Sequence, residues 1–167
     1  AAVLLGAFVV VERRVEAPIL PMRLFRQRDF VGATLGMFFV MLALAGTLFF
    51  LSQYFQLVQG KSAFTAGLYL LPTALMMMVM GPLAGRLLSA VGPRAMLFFA
   101  PAICGGVALL ILSQLEVATD YWVIAVALGV LGFGGGMHLP AATDTTMAAV
   151  PVSDAGKASA VNNTARQ

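Results

Sequence analysis

The strongest constraint in this chain is a set of long runs without charge. Residues 30–51, 63–85 and 95–115 contain no Asp, Glu, Lys or Arg. Each is long enough to cross a hydrocarbon core, which takes about 20 apolar residues. Lipid offers backbone N–H and C=O groups no partner, so a single crossing segment has to be helical. Composition agrees: the chain is 60% hydrophobic and 10% charged, with mean hydropathy +0.94, where soluble domains carry about 25% charged residues. The predicted fold class is therefore all-α, a polytopic membrane protein built as a helical bundle.

Four full spans are expected, at about residues 30–58, 63–85, 95–115 and 121–148. A further helix starts at 155–167, and residues 1–11 read as the end of a truncated one. Pro72 is expected to kink the second span. Tyr121 and Trp122 open the fourth span as an interfacial aromatic pair. Between the second and third spans, residues 81–94 are expected to turn tightly at one membrane face. Gly81 and Gly85 are four apart and share a helix side fit for close contact; Gly92 and Pro93 then break the chain. Residues 1–29 form a helix end plus a basic linker in which Pro18 and Pro21 forbid one continuous helix. Residues 30–167 form the first part of a larger bundle. The whole reads as a piece of a longer protein.

Basic residues set the orientation. Segments 12–29, 86–94 and 153–167 together hold nine of the ten Lys and Arg, and the opposite turns hold only Lys61. Cytoplasmic loops are enriched in Lys and Arg, so those three segments are assigned to the cytoplasm. The net charge of +3 does not point to nucleic acid, because the basic residues lie in membrane loops. Cys104, the one cysteine, lies in an apolar run and reads as a small packing residue. No metal or cofactor site is indicated. No Ser/His/Asp set, zinc motif or Walker loop is present, so an enzyme is not expected.

Gly132, Gly134, Gly135 and Gly136 lie inside an apolar span, without the strand that a dinucleotide fingerprint needs before it. They read as helix packing. Asn162-Asn163-Thr164 matches a glycosylation tripeptide but falls on the cytoplasmic side. His138 and Asp144 are the ionisable residues of the fourth span, and such groups at membrane depth are functional candidates. At about 1.5 Å of rise per residue, His138 lies roughly 26 Å and Asp144 roughly 35 Å from Tyr121. Gln53 and Gln56, three apart near the outer end of the first span, either approach water or line a cavity. The methionines Met76, Met77, Met78 and Met80 suit packing or an adaptable binding surface. Phe38, Phe39, Phe49, Tyr54 and Phe55 are candidates for an aromatic lining.

The run Gly81-Pro-Leu-Ala-Gly-Arg-Leu-Leu-Ser-Ala-Val-Gly-Pro-Arg94 resembles the second-half copy of the loop signature of the major facilitator superfamily. Gly85, Gly92 and Arg94 match it, while Ser89, Ala90 and Pro93 stand where the family has an aspartate and two basic residues. Gln53-Tyr-Phe-Gln-Leu-Val-Gln-Gly60, Ala66-Gly-Leu-Tyr-Leu-Leu-Pro72 and the glycine run ending at Pro140 are similar to the fourteen-helix drug:proton antiporter branch.

The resemblance implies that the 1–11 stretch ends the extra helix pair of that branch and that Phe30 opens the C-terminal six-helix bundle. It further implies proton-coupled efflux of hydrophobic or amphipathic compounds. The partners would be the lipid bilayer, a small-molecule substrate, protons and the missing N-terminal half, in a bacterial plasma membrane. Gly81, Gly85, Arg86, Gly92 and Arg94 would form the cytoplasmic loop motif. Gln53, Gln56, His138 and Asp144 would be candidates for the proton or substrate pathway. The alternatives are a facilitator that exports one metabolite or lipid and, more remotely, a membrane-embedded enzyme subunit.

Overall fold

A computed structural model describes residues 27–117, 119–150 and 155–166. The 1–11 helix end, most of the basic linker and the turn after Val150 lie outside those residues. Among the described residues all regular structure is helical, and four helices are long and apolar enough to span a membrane.

Helix α1 runs Arg28–Gln53 and continues as a π-helical turn over Tyr54–Val58. Gly60, at φ +63°, reverses the chain. Ser62 then caps α2 (Ala63–Val91), its Oγ accepting from the Thr65 N–H at 3.2 Å. Helix α3 spans Pro93–Leu112. Pro101 has no N–H to donate and its ring crowds the preceding turn, and the helix widens to a π geometry over Ala100–Gly105. Helix α4 is Tyr121–Ala148 and α5 is Ala155–Arg166.

Three expectations change. The second span does not end at Gly85: α2 continues through Pro72, Pro82 and Arg86 to Val91. The turn expected over 81–94 is a single residue, Gly92, at φ +84° and ψ 153°. The reason is local. Gly81 and Pro82 sit on an established helix whose apolar side still packs through Ala84, whereas Gly92 meets a proline that takes the first helical position of α3. The third span likewise starts two residues earlier than expected and ends at Leu112.

Helix α4 is the centre of the bundle. Half of its most apolar window is buried, against 17% for α1 and α2 and 22% for α3. Its most extensive neighbour is α2. The main core joins Met37 of α1, Met80 and Ala84 of α2, Met96 and Leu97 of α3, and Met137 and Ala141 of α4. A second core near the opposite end joins Leu51 and Phe55 to Ala66, Ile124 and Leu128. Large apolar side chains such as Phe39, Phe50, Phe64, Met78 and Phe98 face outward. That inverts a soluble protein and matches a surface meeting lipid or further helices.

Candidate transport site

The glycine run of α4 lets the helix enter the bundle. A Cβ added at Gly132 would overlap the Thr73 carbonyl, and one at Gly136 would stand 2.9 Å from Met80 Cβ. These glycines are four apart, on the side that meets α2. A Cβ at Gly134 would stand 2.7 Å from Cys104 Cβ and 3.0 Å from the Ala100 carbonyl oxygen, on the side that meets α3. The small residues thus allow backbone contact on two sides of one helix. Gly81 and Gly85 do not serve this way: a Cβ at either would meet nothing within 4 Å.

His138 follows directly on this run and is fully buried. Its Nδ1 lies 3.1 Å from the Leu97 carbonyl oxygen. In a regular helix that carbonyl would accept from residue 101, which is a proline without an N–H. The imidazole of α4 therefore supplies the donor that Pro101 of α3 cannot. Because a carbonyl only accepts, Nδ1 carries the proton, and the Nε2 of the neutral ring is left as an acceptor. Nε2 is buried without a partner. Its end of the ring faces Gly36 of α1, where an added Cβ would sit 3.4 Å from Cε1 and 3.8 Å from Nε2. A cavity of about 300 Å³ lies there, lined by Gly32, Gly36, Phe39, Leu97, Pro101 and His138, among others.

The other candidates lie elsewhere. Asp144 is exposed, six residues along α4, and lines a cavity of about 350 Å³ with Arg28, Asp29 and Arg94. The start of α1, the start of α3 and the end of α4 therefore meet at one end of the bundle. Arg94 approaches Asp29 at 3.9 Å, but their side chains are 84% and 66% exposed, so the pair contributes little. Arg86 is exposed, and its carbonyl accepts from Ser89 Oγ at 2.7 Å. Gln53 is exposed, and Gln56 donates through Nε2 to Ser52 Oγ at 2.9 Å. Both belong to the far end of α1, so the four pathway candidates do not converge.

Sequence reasoning missed an aromatic tie at that far end. Tyr69 of α2 stacks on Tyr121 of α4 at 4.1 Å between ring centroids, and Phe55 of α1 meets Tyr69 edge-on at 5.2 Å. Tyr121 Oη donates to the Tyr69 carbonyl at 3.3 Å, and Tyr54 Oη donates to the Glu116 carbonyl at 2.6 Å. Tyr121 had been read as an interfacial anchor; Trp122, 63% exposed, keeps that position. The signal available was that Tyr54-Phe55, Tyr69 and Tyr121 all sit at predicted outer span ends. Met80 is buried, whereas Met78 faces out, so the methionine cluster divides between core and surface. Among the described residues no group of His, Cys, Asp and Glu is placed to hold a metal ion.

Comparison with known proteins gives this geometry its context. The model of the Major Facilitator Superfamily matches residues 5–167. Methylenomycin A resistance protein of Streptomyces coelicolor is 37% identical over 93% of this chain and 33% of its own length. Methyl viologen resistance protein SmvA of Salmonella typhimurium is 31% identical over 98% of this chain and 33% of its own length. Multidrug efflux pump LfrA of Mycolicibacterium smegmatis is 34% identical over 95% and 31%. The chain thus spans about a third of the length of these curated relatives. A match over nearly every residue, on an all-helical membrane bundle, makes the chain a member of the Major Facilitator Superfamily.

Proposed function

We propose that this chain works within a fourteen-helix secondary transporter that exports hydrophobic or amphipathic drug-like compounds across a bacterial plasma membrane in exchange for protons. The observation that carries the reading is the similarity, over nearly all of this chain and about a third of each relative, to proteins named for drug resistance and efflux. Residues 30–167 would open the C-terminal six-helix half. An N-terminal half would face it across a midplane site, and access would alternate as the halves rock. Arg86, Gly92 and Arg94, with Gly81 and Gly85, would latch the cytoplasmic side. His138 and Asp144 would handle protons in this stretch. Gln53 and Gln56 would line the outer exit.

The test is extrusion of a cationic dye by cells expressing the complete protein, with and without a protonophore. Extrusion that collapses with the proton gradient is expected. Extrusion that survives the protonophore overturns the antiport mechanism. A narrower reading, export of one metabolite, draws on the relative named for methylenomycin A alone; absence of any dye extrusion by protein present in the membrane would favour it.

A further inference from the structure

The α1–α3 seam holds three cavities that share their walls. Gly32, Leu97 and Phe98 belong both to the cavity beside Asp144 and to the one beside His138. Ala43 belongs both to the latter and to a larger one, about 510 Å³, that reaches Tyr54 and Leu115. The three cavities therefore follow one another along the seam, each sharing wall residues with the next. Midway along it, the wall is apolar except for His138, whose Nε2 has no partner and whose tautomer is fixed by Leu97. A buried acceptor without a donor is costly, and ligand sites combine apolar walls with a few placed polar groups.

We infer that the cavity beside His138 is a subsite for amphipathic compounds that carry an N–H or O–H donor, which His138 Nε2 accepts. The inference rests on the export reading for its biological meaning but not for its chemistry. Pro101 is the remote determinant: by leaving the Leu97 carbonyl free it holds Nδ1 protonated and so keeps Nε2 an acceptor. Gly36 is the door. Nε2 is covered at that point in this conformation, and a glycine there leaves room for a donor once α1 draws back. A compound without a donor would fill the cavity but leave Nε2 unpaired.

The experiment is equilibrium binding to the purified complete protein, with ethidium, which bears two aromatic amines, and tetraphenylphosphonium, a lipophilic cation without N–H or O–H. His138→Phe is expected to weaken ethidium about tenfold, the scale of one buried hydrogen bond, and to change tetraphenylphosphonium less than twofold. His138→Gln, whose amide both donates and accepts, is expected to restore most of the ethidium affinity. Gly36→Ala leaves the imidazole intact but adds a methyl 3.8 Å from Nε2 that narrows a donor's approach, and it reads the same contrast should His138→Phe fail to fold. Equal loss of both probes, no loss of either, or no ethidium binding by the wild type overturns the subsite. None of these outcomes bears on proton coupling, which the protonophore assay decides separately.

Discussion

At the scale of single residues, His138 and Pro101 form one unit although they lie on different helices. Pro101 removes a donor and His138 replaces it, so removing the imidazole leaves the buried Leu97 carbonyl without that donor. His138→Ala is expected to destabilise the complete protein by about 2 kcal/mol, combining an unsatisfied carbonyl with a cavity. His138→Gln should cost less than half of that. Unfolding in detergent micelles measures both, and equal losses for the two would deny the hydrogen bond its part.

The two halves of this pair were not equally visible beforehand. His138 stands out as an ionisable group in an apolar run. Its partner was hidden, because the sequence does not say which of four helices lies beside it. Gly36 has no feature in the sequence that ties it to His138, and only the fold sets the two side by side.

At the scale of elements, α4 shows how small residues decide the order of packing. Gly132→Ala or Gly136→Ala forces α4 away from α2, for an expected cost of about 1–3 kcal/mol. Gly85→Ala, with open space around it, should cost nothing measurable. The same unfolding assay separates them, and a cost at Gly85 matching that at Gly132 would contradict the packing described. Apolar runs revealed the helices because lipid tolerates little else. Glycine spacing alone does not say what meets Gly81 and Gly85, since pairs four apart mark a smooth helix side whether or not a neighbour among the described residues lies on it. Gly92 makes the opposite point. Its φ and ψ belong to a region open essentially to glycine, so Gly92→Ala is expected to strain the α2–α3 joint by about 1–3 kcal/mol, again read by unfolding.

At the scale of the whole molecule, Asp29, Arg94 and Asp144 gather at one end, and the Tyr54–Tyr69–Tyr121 tie closes the other. On the reading proposed above, the excess of Lys and Arg would put the first end in the cytoplasm. In the complete protein with Cys104 and any other native cysteine replaced by serine, Ser62→Cys should react with an impermeant thiol reagent in intact cells, and Ser89→Cys only after permeabilisation. The reverse pattern would invert the assignment. The outward-facing phenylalanines follow from the same solvent logic, since such helix surfaces suit lipid or other apolar helices rather than water.

The single-residue joint at Gly92 has a bearing on biosynthesis. It fixes α2 and α3 at a common hinge before α4 has left the ribosome, yet α4 is the piece that touches both most closely. Until α4 arrives, the hinged pair is an empty clasp. Order of synthesis thus leaves a vulnerable interval, and a product stopped before Tyr121 should be degraded far faster than one extending past Ala148, as pulse-chase labelling of the two lengths would reveal.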